Sequence, residues 1–379
     1  MEEVWIGLMK KLLFLVNHYL VIYNFRKELI TELLHNGYDV TVVSPPGKID
    51  NELLELGCHF VECQIDRRGM NPITDLCLLK FYLKLIKARK PDVVLTYTIK
   101  PNVYGGMACQ ILAVKYITTI TGLGTSIENG GLIASFILKL YKFSLKKSSC
   151  IFFQNRMDKK KMEDAGIKGD KALLVAGSGV NLEIHSYEDY PDRREGLSFL
   201  YLGRIMKNKG VEELLEAAKE VKRIYPKVSF IMAGECEENY SERLLVLTKR
   251  GIIHYLGFKE NVHELIKKCS AVVLPSYHEG LANVLLEASA CGRPVLASNI
   301  SGCRETFEDE KTGIAFCPRD AESLKAALIR FIILPYEQKR EMGILARKKM
   351  EREFDRKRVV QSYLEEIEYV IYRTGSETV

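Results

Sequence analysis

Residues 271–288 read Ala271-Val272-Val273-Leu274-Pro275-Ser276-Tyr277-His278-Glu279-Gly280-Leu281-Ala282-Asn283-Val284-Leu285-Leu286-Glu287-Ala288. Four apolar residues, two of them β-branched, form a run too short for a helix, and Pro275 stops it. A polar loop with a glycine follows, and helical spacing resumes near Asn283, a residue type suited to an N-cap. A strand with no polar alternation is buried on both faces, the signature of a parallel sheet covered by helices. The segment is therefore one strand–loop–helix step of a doubly wound sheet.

The same step recurs on both sides. Upstream of residue 187, strands are expected at Leu12–Val16, Asp39–Val43, Asp92–Thr96, Tyr116–Ile120 and Ile151–Gln154, with helical periods at Phe25–Asn36, Asp75–Arg89, Val103–Ala113 and Leu132–Lys147. The stretch from His185 to Arg194 is polar, contains Pro191 and carries no apolar period, so it marks a domain boundary. Beyond it, strands are expected at Ser198–Leu202, Val228–Ala233, Ile252–Leu256, Ala271–Leu274 and Pro294–Ser298. Helices are expected at Val211–Ile224, Ser241–Arg250, Val262–Cys269 and Asn283–Cys291. The expectation is an α/β protein of two Rossmann-like doubly wound domains, 1–186 and 196–356, facing a central cleft. The tail reads as helices over Glu322–Ile333 and Pro335–Tyr372, and a last helix near 357–375 is expected to pack back on the first domain.

The 379 residues suffice for two cores, and 47% hydrophobic with 27% charged residues is an ordinary globular balance. A net charge of +6 is too small to argue for nucleic acid, and none is expected as a partner. The ten cysteines show no CxxC pair and no zinc-ligand spacing, which points to buried free thiols in a reducing cytoplasm. No apolar run approaches the roughly 20 residues that span a bilayer. Met9-Lys10-Lys11-Leu12 reads as the opening of the first buried strand, the preceding eight residues being an upstream start or an extension.

Chemistry concentrates in loops after strands, where open α/β sheets bind ligands. Glu279 lies in the loop and Glu287 within the helix, so their eight-residue separation places two carboxylates around a helix N-terminus. Helix-end amides favour an anion, while carboxylates accept from sugar and ribose hydroxyls. A second segment, Tyr201-Leu202-Gly203-Arg204-Ile205-Met206-Lys207-Asn208-Lys209-Gly210, follows the first strand of the second domain. Gly203 lets the backbone approach a ligand, and Arg204 with Lys209 can bracket a diphosphate and neutralise a departing nucleotide without a metal.

Both segments resemble the family 4 retaining glycosyltransferases of the GT-B fold, whose Glu-x7-Glu pattern matches Glu279 and Glu287. The resemblance implies that Glu279 and the amides of Gly280, Leu281 and Ala282, at the helix opened by Asn283, engage the transferred sugar and diphosphate. It implies that Glu287 engages ribose, Arg204 and Lys209 the phosphates, and Phe258 with Lys259 the base edge beside His254-Tyr255-Leu256-Gly257. Ala233-Gly234-Glu235 and Ser178-Gly179-Val180-Asn181 also match. The first domain is similar to enzymes that extend polyprenyl-diphosphate-linked oligosaccharides, through His18 to Arg26, Lys100-Pro101-Asn102 and Gly122-Leu123-Gly124. Where many relatives carry a cleft histidine after the fourth strand, this chain has Thr96-Tyr97-Thr98-Ile99-Lys100, leaving Lys100 or Thr98 to substitute.

On the acceptor side, His18 either touches a sugar or is a loop histidine. Arg26 either binds an acceptor diphosphate or serves its own helix, and Glu128 is either a base on a glycine-rich loop or a solvated glutamate. Two basic amphipathic helices, 75–90 and 132–147, are either solvated faces or contacts to an anionic membrane surface. The implied partners are a UDP-sugar donor, first a UDP-N-acetylhexosamine, and a lipid-linked saccharide acceptor. The implied enzyme is a hexosyltransferase without metal or other cofactor, peripheral to the inner face of the cell membrane. A nucleotide-sugar epimerase, a phosphorylase and a non-catalytic nucleotide-sugar-binding subunit are the rivals, and the paired Glu and Arg/Lys sets favour transfer.

Overall fold

A computed structural model describes residues 9–47, 54–66, 69, 71–124, 127 and 130–372. The chain forms two compact units: one runs to Ser178 and resumes at Val359, the other is Gly179–Arg358.

The first unit is built on a parallel sheet of seven strands. These are β1 (Lys11–Leu15), β2 (Asp39–Ser44), β3 (His59–Glu62), β4 (Val93–Tyr97), β5 (Lys115–Ile120), β6 (Cys150–Phe153) and β7 (Ala172–Leu174), in the order β3-β2-β1-β4-β5-β6-β7. Leu12, Phe14 and Val16 enter one core while Leu13 and Leu15 enter the other, so the strand is apolar from Leu12 onward because both faces are covered. The helix Arg356–Tyr372 closes one face. Tyr363 packs 4.3 Å from Phe152 between ring centroids and its hydroxyl lies 2.8 Å from Thr119 Oγ1.

The second unit has six parallel strands: β8 (Ser198–Leu202), β9 (Ser229–Ala233), β10 (His254–Tyr255), β11 (Ala271–Leu274), β12 (Val295–Ser298) and β13 (Gly313–Phe316), ordered β10-β9-β8-β11-β12-β13. One continuous apolar core runs from Phe199 through Leu274 and Leu285 to Phe331. In each sheet the strand order reverses beside the first strand. The pairs are β1 with β4, Leu12 opposite Val93, and β8 with β11, Val272 opposite Leu200. Such a reversal splays the loops at the carboxyl ends and opens a ligand crevice.

The structure departs from the sequence reading in specific places. The limit expected at residue 186 falls at Ser178, because Val180 bridges Asp355 and Arg347 Nη1 donates to His185 O, tying 179–187 to the second unit. β3, β7 and β13 and the helix Arg156–Asp164 are additional to the elements expected; β3 is a sheet-edge strand with only two apolar residues, Phe60 and Val61, and β7 has three residues. The first helix starts at Tyr19 rather than Phe25, and the tail divides at Met350–Phe354, a π-helical turn.

Candidate functional site

The site is built where β8 and β11 lie side by side. Beyond β8 the chain makes a tight turn, Lys207–Lys209, and Gly210 opens the helix Val211–Ile224 in the left-handed conformation, φ +68°. A Cβ on Gly210 would sit 2.1 Å from Pro275 O, so this close approach of the two loops requires glycine. Tyr277 N donates to Asn208 O at 3.0 Å and fixes the same junction. The result brings Lys209 Nζ to 2.5 Å from Glu279 Oε1, with both side chains largely covered, 19% and 15% exposed.

Arg204, five residues before Lys209, is exposed and held differently. Both oxygens of Glu237 accept from Arg204 Nη1 at 3.1 Å, and the backbone carbonyl of Arg204 accepts from the Tyr201 hydroxyl at 2.7 Å. At the carboxyl ends of the neighbouring strands the backbone is tied across, and the Tyr255 hydroxyl donates to Gly234 O at 2.8 Å. Gly203 N donates to Ala233 O at 3.1 Å and Gly234 N to Gly257 O at 2.9 Å. Phe258, next along, is 65% exposed.

The loop Pro275–Ala282 delivers its glutamate into the helix Asn283–Ala290. The residue that opens this helix is Ala282, not Asn283 as the sequence suggested, because Leu285 N and Leu286 N bond Ala282 O. Asn283 Oδ1 is buried without a hydrogen bond, as is Ser276 Oγ. The amide of Ala282 is also committed, donating to Gly302 O at 2.9 Å, so it is not a ligand donor in this geometry. The first-turn amides at Asn283 and Val284 have no carbonyl one turn back and keep the positive end of the helix open.

Glu287 lies one turn inside. Burial pushes its carboxyl up to about 7, against the opposing charge of Arg356. A carboxylate that is expensive to ionise in the absence of a partner is suited to hydroxyl recognition, where each ribose O–H supplies the missing hydrogen bond.

Sequence reasoning missed three contributors. Glu237 holds Arg204. Gly302 backs the loop: a Cβ there would meet Glu279 O at 2.3 Å and Gly280 O at 2.8 Å. Tyr201 positions the Arg204 backbone. Only the glycine had a sequence signal, Ser301-Gly302 just past a strand.

Of the residues assigned to the acceptor side, His18, Arg26 and Lys100 are each held by local contacts within the first unit. His18 caps the helix Tyr19–His35, accepting from Leu20 N at its Nδ1, 3.2 Å. Arg26 is not available to an acceptor diphosphate. It is 3% exposed, its guanidinium lies 5.0 Å from the ring centres of both Tyr97 and Tyr363, and it donates to Tyr363 Oη at 3.3 Å and Phe25 O at 2.7 Å. Two aromatic faces within the core offset its charge, while its buried Nε makes no hydrogen bond. Lys100, at the end of the β4 loop, pairs with Asp75 at 2.6 Å, and Asp75 also accepts from the Tyr104 hydroxyl at 2.9 Å. Thr98 beside it holds φ +71°, an unusual conformation for a β-branched residue. Glu128 lies outside the described residues.

Lys80, Lys84, Lys87, Arg89 and Lys90 are exposed around the helix Pro72–Arg89, as are Lys139, Lys142, Lys146 and Lys147 in and after Gly131–Ser144. Beside the latter, Leu132 is 91% exposed, with Phe136 and Phe143 also largely in solvent. Among the described residues no helix is long and apolar enough to cross a membrane.

Residues 189–349 match the family model described as glycosyl transferases group 1, and residues 11–155 match glycosyl transferase 4-like. One relative, the N,N'-diacetylbacillosaminyl-diphospho-undecaprenol alpha-1,3-N-acetylgalactosaminyltransferase of Campylobacter jejuni, is 28% identical over 80% of this chain and 84% of its own. The UDP-Gal:alpha-D-GlcNAc-diphosphoundecaprenol alpha-1,3-galactosyltransferase of Escherichia coli is 26% identical over 69% and 72%. Among solved structures, a glycosyltransferase from Rickettsia africae superposes with a TM-score of 0.78 at 20% identity, covering 97% of this chain and 100% of that one. An Anabaena protein crystallised with UDP and glucose superposes at 0.77 and 18%, covering 95% and 99%. These neighbours share the GT-B fold of two parallel-sheet Rossmann-like domains.

Proposed function

The chain belongs to the group 1, family 4-like glycosyltransferases, and on that premise we propose that it moves a sugar from a UDP-sugar to a polyprenyl-diphosphate-linked saccharide with retention of anomeric configuration. The observation that carries the reading is the 2.5 Å contact between Lys209 and Glu279 at the β8/β11 strand reversal. Without a ligand, each basic residue of the clamp rests on a carboxylate, Lys209 on Glu279 and Arg204 on Glu237. A donor diphosphate offers both cations a stronger, doubly charged partner. As Lys209 turns to the phosphate, Glu279 is left to accept from hydroxyls of the transferred sugar, and Glu287 accepts from ribose.

The chemical step follows from that placement. The glycosidic C–O bond to the diphosphate breaks, and negative charge gathers on the departing phosphate oxygen. Lys209, Arg204 and the amides at Asn283 and Val284 stabilise it electrostatically. The acceptor hydroxyl attacks the anomeric carbon from the same face and passes its proton to that phosphate oxygen. Two cations and a helix terminus perform the charge neutralisation that a divalent ion would supply elsewhere, so no metal is required.

The acceptor class rests on the similarity to enzymes named for undecaprenyl-diphosphate-linked sugars, and it favours a UDP-N-acetylhexosamine ahead of UDP-galactose or UDP-galacturonate as donor. A lipid-linked acceptor requires approach to the membrane. Exposed lysines beside Leu132, Phe136 and Phe143 suit insertion of an amphipathic face at the anionic cytoplasmic leaflet.

The test is the configuration of the product. Incubation of purified protein with each UDP-sugar and a short polyprenyl-diphosphate-sugar acceptor is expected to yield a disaccharide whose anomeric proton coupling matches the α-donor. An inverted product overturns retention, and donor turnover without acceptor indicates epimerisation instead.

A further inference from the structure

Away from the β8/β11 loops, three side chains from separate segments of the second unit converge. His185 follows the turn capped by Asn181, His263 begins the short helix His263–Lys268, and Cys291 ends the helix Asn283–Ala290. One ring nitrogen from each histidine and Cys291 Sγ all lie within 4.8 Å of one another. Cys291 Sγ is 3.3 Å from His263 Nδ1, and His263 Nε2 is 3.1 Å from Glu188 Oε1.

The hydrogen bonds fix the tautomer. An ionised carboxylate only accepts, so the proton on His263 resides on Nε2 and the Nδ1 lone pair faces the thiol. That is the arrangement in which a metal-ligating histidine is oriented by a carboxylate behind it. His185 supplies an independent observation, since its Nδ1 is buried and makes no hydrogen bond. A thiolate and an imidazole on a tetrahedral zinc ion stand about 3.6 Å apart, close to the separation already present.

We propose that His185, His263 and Cys291 form a binding site for a thiophilic divalent cation of the Zn2+ class, with Glu188 orienting His263. Binding replaces the Cys291 S–H bond by a metal–sulfur bond and releases the proton to solvent. Two imidazoles and one thiolate select zinc or cobalt over magnesium or calcium, and the fourth position is left to water. The proposed transfer chemistry uses no metal, and the site stands one turn beyond Glu287, with Cys291 N donating to Glu287 O at 3.1 Å. It clamps residue 185 to the carboxyl end of the helix whose amino end carries the Glu279 loop.

Cobalt(II) is the probe, titrated without oxygen into metal-stripped full-length protein. One equivalent is expected to produce a thiolate-to-cobalt charge-transfer band with the intense visible bands of tetrahedral cobalt, both erased by Zn2+. Cys291→Ala should abolish the charge-transfer band. His185→Gln leaves the Cys291–His263 contact intact and should weaken binding at least tenfold, as should Glu188→Gln through the outer contact. Absence of the bands in folded wild-type protein overturns the site. So does an undiminished band in Cys291→Ala, or, if that variant does not fold, unchanged affinity in His185→Gln.

Discussion

Lys209 Nζ and Glu279 Oε1 lie 2.5 Å apart although 70 residues separate them in the chain, because Gly210 and Pro275 bring the β8 and β11 loops into backbone contact. In the proposed reaction the pair puts the cation of a phosphate clamp and the acceptor for a sugar hydroxyl at one point. Most of the site follows from that juxtaposition.

Arg204 and Glu237 should respond in opposite directions. Arg204→Ala removes a charge proposed to act on the leaving diphosphate, and kcat in steady-state assays is expected to fall about 10²-fold or more, with weaker UDP binding. Glu237→Gln releases Arg204 from a half-exposed pair worth about 1 kcal/mol or less, so UDP should bind up to about fivefold more tightly. Calorimetric titration of UDP into both variants checks this, and weaker binding in Glu237→Gln contradicts the parked-cation account.

Glu287 predicts a pH dependence with a definite sign. Its carboxyl is raised from 4.5 to about 7, so the folded protein keeps a proton that the unfolded chain has lost. Stability therefore falls as pH rises from 4.5 to 7 and levels off above, and Glu287→Gln should flatten that fall. In the proposed role the ionised form accepts from both ribose hydroxyls, so affinity for a UDP-sugar, whose diphosphate diester does not titrate here, should rise with pH up to about 7. Binding isotherms from pH 5.5 to 8.5 check it; an identical profile in Glu287→Gln would refute the assignment.

Gly302 should matter to catalysis more than to folding. A methyl group there meets Glu279 O at 2.3 Å, and the loop must move. Gly302→Ala is expected to reduce kcat/KM about 10²-fold, the scale of a 1 Å misplacement. The cost in stability should stay within about 3 kcal/mol. Steady-state kinetics with denaturant unfolding separate the two effects.

Arg26 should behave as a structural residue. Arg26→Ala removes the cation between Tyr97 and Tyr363 and should destabilise the protein by about 3 kcal/mol while leaving UDP affinity unchanged. Loss of acceptor use at wild-type stability would restore the acceptor role.

Ten strands were legible in the sequence because burial on both faces writes continuous apolar runs, and the Lys209–Glu279 contact joins two of the strand-end loops it singled out. What escaped depends on distant partners. Arg26 looked available because Tyr363, 337 positions away, gives no local sign of covering it. Asn283 has the composition of a cap, yet the backbone of Ala282 takes that place and its amide is drawn to Gly302. The domain limit shifted because Val180 pairs with Asp355, a bridge across more than the whole second sheet. Glu237 lay in an acidic stretch, Glu235-Cys236-Glu237-Glu238, with nothing to single it out.

Glu279 and Lys209 are proposed to act together on a nucleotide-sugar, and acceptor-dependent UDP release in the presence of EDTA tests that most directly. Wild-type protein is expected to release UDP only when a polyprenyl-diphosphate-sugar is supplied, at an unchanged rate with chelator, and Glu279→Gln to lose about 10²-fold or more. Release that needs no acceptor, that stops with EDTA, or that survives in Glu279→Gln would contradict it.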